Sequence, residues 1–150
     1  MTKQIILAST SPRRKQLLEL TGIKFKVVDS GYEEVLNQNL THANLVKFLS
    51  LGKAKAAAEK YKNSIIIAAD TIVSFKGKAL GKPKTKEQAA AMLKSLSGKM
   101  HYIYSGLSII DSKSGKTFQA VGVNKIYFKK LLAAQINNYV ATGEPFDRAG

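Results

Sequence analysis

There is no cysteine in these 150 residues. Disulfides and thiolate metal sites are therefore excluded, and the composition fits a reducing compartment, the cytoplasm. No hydrophobic run is long enough to span a membrane, and the N-terminal apolar stretch is too short for a secretory signal. Acids are scarce, ten Asp and Glu against 24 Lys and Arg, which leaves a net charge of +14. Such an excess favours an anionic partner. The lysines are spread along the whole chain, with no compact basic tail and no basic stretch interleaved with aromatics. That distribution gives only weak support to a nucleic-acid partner and is equally compatible with the steering of a small polyanion such as a nucleotide. His42 and His101 have no metal-ligand spacing to each other or to an acid. A P-loop, a dinucleotide fingerprint, a G-x-S-x-G elbow, zinc-finger spacing and an RNA-recognition signature are all missing.

Arginine is scarcer still, at Arg13, Arg14 and Arg148 only. A lysine-rich chain has no shortage of generic charge, so two adjacent arginines stand out. The guanidinium fork fits phosphate or carboxylate oxygens bidentately, whereas lysine acts as a point charge. The surrounding stretch, LASTSPRRKQLL at residues 7–18, reads as a helix start, with Ser11 as N-cap and Pro12 at the first helical position. Arg13 and Arg14 then fall beside unpaired N–H groups and the positive end of the helix dipole. Basic side chains are unfavourable there unless an anion sits among them, which points to a phosphate cradle.

A chain of this length can bury one core, and no repeat, linker or low-complexity tract divides it. Residues 4–9 and 25–29 read as strands flanking the helix from Pro12, which stops near Gly22. Residues 43–61 form a long helical pattern, and 64–69 an apolar run typical of a strand buried on both faces. A strand at 72–75 and a Lys-Gly-Lys turn make a hairpin. A helix follows from a Thr85 cap to Leu96. Two β segments, 101–110 and 117–128, form a second hairpin before a last helix at 131–142. This order predicts an α/β domain with a mixed parallel and antiparallel sheet flanked by helices.

Asp70 is the strongest single candidate for chemistry. It follows a buried strand, and ligands gather at the carboxyl ends of strands in α/β sheets. A carboxylate there binds a metal or accepts a proton from water, although a turn or cap aspartate would look the same. Glu33 and Glu34 are two of only ten acids, adjacent in a polar segment. On an extended chain they face opposite ways, so one of them at most points into a site. Lys82 is held in a constrained turn between Gly81 and Pro83. Lys53 has no such distinction among the lysines.

The chain resembles the Maf family over residues 5–150. LASTSPRRKQLL, GYEEV at 31–35, KAKAA from Lys53, AADTIV from Ala68, GKP at 81–83, LSGKMH from Leu96 and GEPFDRAG at the end occur in that family's order. The resemblance implies a fold like that of inosine triphosphate pyrophosphatases, usually in a homodimer. It also implies hydrolysis of a nucleoside triphosphate to the monophosphate and pyrophosphate with a divalent cation, Mg²⁺ or Mn²⁺. SPRR and ADT resemble the branch acting on dTTP and UTP rather than the 7-methyl-GTP branch.

By the same resemblance Asp70 is the proton acceptor and Asp70 with Glu33 the metal ligands. Arg13 and Thr71 relate to substrate choice, and Ser11, Arg14, Lys53 and Lys82 line the nucleotide site. The family pattern continues past DRAG with a Gln that helps set base preference. Residues 1–150 are therefore expected to form a single Maf-like domain that is C-terminally incomplete. The alternative is a basic nucleic-acid-binding or division-regulating protein without turnover.

Overall fold

The computed structural model describes residues 3–34 and 39–147, so Arg148 and residues 35–38 lie outside the described residues. The elements run β1 (Gln4–Ala8), α1 (Pro12–Glu19), β2 (Lys26–Val28), α2 (His42–Lys60), β3 (Ser64–Phe75), β4 (Lys78–Leu80), α3 (Lys86–Leu96), β5 (Met100–Asp111), β6 (Thr117–Tyr127), α4 (Ala133–Ala141) and a 3₁₀ turn at Glu144–Asp147. Hydrogen-bonded strands follow the order β2-β1-β3-β5-β6, with β4 also paired to β3. β1 is parallel to both β2 and β3, while β4 is antiparallel to β3. The sheet is mixed, as expected.

The described residues group into two compact units. The first comprises those of Met1–Thr71 and Ser105–Gly122. Its core joins Ile6 and Ala8 of β1, Val28 of β2, Ala54 and Ala57 of α2, Ile66 and Ala68 of β3 and Ile110 of β5. Burying Ile6 or Ile66 contributes about 2 kcal/mol each. Small residues bring α2 close to the sheet. A Cβ on Gly106 would overlap the Val46 carbonyl oxygen, so β5 passes directly under the helix backbone. A buried polar cluster fixes the register there. The hydroxyls of Ser50 and Ser108 are 2.8 Å apart, and Gln119 Nε2 donates to Ser108 Oγ and to the Lys47 carbonyl, both at 3.0 Å. Each of these buried polar groups thereby has a partner, without which it would be strongly destabilising.

The second unit comprises the described residues of Ile72–Tyr104 and Val123–Gly150. Ala89 and Leu93 of α3 pack against Ile136 and Val140 of α4, with Phe128 and Leu131 beside them. Thr85 caps α3 as expected, its Oγ1 accepting the Gln88 N–H at 3.2 Å. The β3–β4 hairpin turns through Lys76 and Gly77 at φ of +50° and +77°. Two successive left-handed residues match the twist of flanking strands, which is why a Lys-Gly pair sits there.

Three expectations are corrected. The apolar run at 64–69 is the first half of a twelve-residue strand, so Asp70 lies within β3 and not at its end. Ile72 and Val73 are β-branched and resume extended pairing, the latter opposite Leu80. Ser11 occupies the N-cap of α1 in extended geometry, but its side chain makes no cap bond. The last helix begins at Ala133, because the Leu131 N–H is taken by Ser97 Oγ and that of Leu132 by Gln135 Oε1.

His101 of β5 is 3 % exposed and stands edge-on to Phe128 at 4.8 Å. Its Nδ1 has no hydrogen-bond partner among the described residues. Burial pushes the imidazole below its ordinary value of 6.5. The folded protein therefore holds the neutral ring while the unfolded chain takes up the proton. Stability present above pH 6.5 is lost as pH falls through the lower folded value. The drop in melting temperature between pH 7 and pH 5 is expected to shrink in His101→Gln. An equal drop in both proteins would contradict this.

Candidate active site

The site is built past the carboxyl ends of the parallel strands β1 and β2, beside the middle of β3. Ala8 pairs with Val28 and Leu7 with Ile67, so β1 lies between β2 and β3 with all three running the same way. Asp70 is three residues past Ile67, level in register with the chain leaving β1. Open α/β sheets gather ligands at such edges. Alternation along β3 puts Asp70 on the same face as Ser64, Ile66 and Ala68, all buried. Thr71 falls on the opposite face and is exposed.

Asp70 is 7 % exposed, and its Oδ1 accepts a hydrogen bond from Lys53 Nζ at 2.5 Å. The same ammonium lies 2.7 Å from Glu34 Oε1. Lys53, from α2, thus bridges a carboxylate beyond β2 and another on β3. Its side chain is 14 % exposed. Burial pulls its pKa down, but the hydrogen bonds and charges of Asp70 and Glu34 outweigh burial and raise it above the ordinary 10.5. The ammonium is therefore held charged at neutral pH. Charge-assisted bonds of this kind are among the strong ones.

Between Asp70 and the Glu34 segment, the chain leaving β1 supplies the basic group. Ser9 is buried, and its Oγ accepts from the Ser11 N–H at 3.3 Å and from Arg14 Nη1 at 3.2 Å. Ser9, not Ser11, is the serine that organises this turn. Arg14 is half-buried while Arg13 is exposed, beside Gln16 and Leu17 of α1 and Leu20 at its C-cap. No residue of α1 is buried, and Leu17 and Leu20 are 65 % and 84 % exposed.

The segment after β2 brings in Glu34. Asp29 Oδ1 accepts the Gly31 N–H at 2.9 Å, closing a turn, and Ser30 Oγ accepts that of Tyr32 at 3.2 Å. Gly31 sits at φ +65°, a geometry that favours glycine. Lys60 Nζ donates to the Ser30 carbonyl at 3.3 Å, tying the turn to the end of α2. The Tyr32 ring then lies on Gly52, where a Cβ would overlap Cζ and come within 2.5 Å of Cε2 and 2.7 Å of the hydroxyl. A helix-interior glycine costs about 1 kcal/mol relative to alanine, and here the ring occupies the vacated space.

Of the residues marked from sequence, the structure joins Lys53 and Asp70 directly and places Arg14 at the neighbouring strand exit. Glu33 is exposed, and Glu34 makes the ion pair. Lys82 is exposed and belongs to the second unit. Glu34 was considered beside Glu33 but not chosen, and Ser9 and the Tyr32–Gly52 contact follow from no sequence pattern. Alternation offered a route to Glu34, because only one of two adjacent acids can reach a given side.

A sequence profile described as Maf-like protein matches residues 4–150. A dTTP/UTP pyrophosphatase of Geobacillus is 45 % identical over 99 % of this chain and 78 % of its own length. One from Pelotomaculum thermopropionicum is 41 % identical with the same coverage. The Ham1 protein of Staphylococcus aureus has a related fold, with a TM-score of 0.57 at 17 % identity, covering 83 % of this chain and 71 % of that one. This bears out the expected inosine triphosphate pyrophosphatase-like architecture. None of these similarities favours a nucleic-acid-binding role. With its order of motifs matched nearly end to end and close relatives across almost its full length, the chain belongs to the Maf family.

Proposed function

We propose that this protein is a dTTP/UTP pyrophosphatase, hydrolysing the triphosphate between its α and β phosphorus atoms to the monophosphate and pyrophosphate. The observation that carries this is the Lys53 ammonium held between Asp70, within β3, and Glu34, beyond the carboxyl end of β2. Phosphoryl transfer depends mostly on positioning and charge neutralisation, so a fixed, charged lysine beside an oriented carboxylate is the minimum equipment. Arg14, oriented by Ser9, grips phosphate oxygens with its fork, and Arg13 adds charge for capture. Water attacks the α phosphorus, the bond to the bridging oxygen breaks, and pyrophosphate leaves. Asp70 Oδ2 takes the water proton while Oδ1 stays on Lys53. Thr71 and Arg13 bear on the choice of base.

The donor set fits a hard divalent cation. Two carboxylates already meet around one positive charge, and Mg²⁺ is commonly held by one or two carboxylates with phosphate oxygens and water. Among the described residues no cluster of three or more His, Cys, Asp or Glu exists, so the phosphates themselves would complete such a shell. Asp70 would hold the ion with one of Glu33 and Glu34. When bound, the ion neutralises phosphate charge and lowers the pKa of the attacking water. The homodimer and the cytoplasmic location belong to the same proposal, and no described helix is long and apolar enough to cross a membrane.

The test is a panel of separate triphosphates with Mg²⁺ or Mn²⁺, read as pyrophosphate and orthophosphate. Pyrophosphate from dTTP and UTP, without orthophosphate, is the expected result. Release of orthophosphate only, or steep salt-sensitive DNA binding with no turnover, would overturn the proposal.

A further inference from the structure

Gly52 breaks a local rule, because a helix interior disfavours glycine and its neighbours in α2 are alanine, leucine and lysine. The compensation is the Tyr32 ring, which fills the space a side chain would take. Tyr32 and Glu34 both meet α2, at the adjacent residues Gly52 and Lys53. Only one residue separates Tyr32 from Glu34, so seating the ring also limits where the carboxylate can lie. We infer that Tyr32, seated in the notch at Gly52, is the positioning residue that holds Glu34 against Lys53.

Among the described residues, the other hydrogen bonds of this segment lie at Tyr32 or before it. The Asp29 turn and the Lys60 bond to Ser30 fix where the chain starts across the helix. Glu34 is 48 % exposed on its side chain, so it has little packing of its own to hold it. The aromatic ring is a rigid anchor with few rotamers to lose. Without it, the Glu34 carboxylate has no fixed approach to Lys53, and the ammonium loses one of its two stabilising partners.

This rests on the pyrophosphatase proposal for its consequence in catalysis, but the contact itself is testable without turnover. The experiment is competitive acetylation of the folded protein, read lysine by lysine by mass spectrometry, beside melting temperature and kcat and KM for dTTP. Only the uncharged amine reacts, so Lys53 should be among the slowest lysines in the wild type. In Gly52→Ala and in Tyr32→Ala its reactivity relative to Lys113 is expected to rise severalfold, because the amine is no longer covered by the Glu34 carboxylate. The double variant should match either single one, since both remove the same contact. Tyr32→Phe keeps the ring and should restore slow acetylation and normal kcat. In the alanine variants kcat should fall more than KM changes.

Unchanged Lys53 reactivity in Tyr32→Ala and Gly52→Ala would overturn the inference. So would a Tyr32→Phe variant as reactive as Tyr32→Ala. Should Gly52→Ala fail to fold, Tyr32→Ala decides alone. If the wild type releases no pyrophosphate while Lys53 responds as described, the pyrophosphatase proposal falls and the positioning contact stands.

Discussion

Asp70→Asn is expected to lower the rate of pyrophosphate release by about a hundredfold or more, the usual worth of a positioned general base. The substitution is nearly isosteric and leaves the buried strand position filled. What it removes is the charge opposite Lys53 and the capacity to take a proton from water. Lys53 keeps Glu34 as a partner, so phosphate capture should survive, with KM for dTTP changing by less than about tenfold. Steady-state kinetics separate the two effects. Wild-type kcat in Asp70→Asn would remove this residue from the chemistry.

The second large effect belongs to Lys53→Met, which keeps the stem length and deletes the ammonium. Asp70 is then left with its charge buried and its partner gone. Breaking a buried pair by removing one member typically destabilises by about 3 kcal/mol or more. Chemical denaturation should therefore show a lower midpoint with an unchanged slope. Turnover should collapse as well, because the fixed positive charge beside the attacked phosphorus is lost. Lys53→Met combined with Asp70→Asn should recover much of the stability, since no uncompensated buried charge remains and Glu34 is half exposed to water. Activity should not return in the double variant. Equal destabilisation in Lys53→Met and the double variant would show that the pair is not what holds the two elements together.

Much of this site could be read from residues alone because its chemistry uses uncommon residue types. Two of three arginines at a proline-started helix, and an aspartate following a β-branched run, stand out against a lysine-rich background. Lys53 does not stand out among so many lysines. Only the packing of α2 on the sheet, through Gly106 and the Ser50–Ser108–Gln119 cluster, shows which lysine turns inward. The choice between Glu33 and Glu34 likewise depends on where the chain crosses the helix. That is decided by Tyr32 and Gly52, whose partnership spans twenty positions and follows no local pattern. Ser9 was hidden by Ser11, since the capping rule names the residue before Pro12 and is silent on a turn organised from the strand end. The length of β3 escaped because Asp70 is a poor strand former that interrupts the apolar run, and the ladder continues through it on the strength of its β-branched neighbours. Lys82, a constrained lysine in sequence, belongs to a different unit from the Lys53 cluster.

The chemistry of this site turns on which phosphorus atom water attacks. Turnover of dTTP in heavy-oxygen water, followed by mass spectrometry of both products, reads this directly. The heavy atom is predicted in the thymidine monophosphate, with none in pyrophosphate, as attack at the α phosphorus requires. Label in the pyrophosphate, or none in either product beyond background exchange, would contradict it.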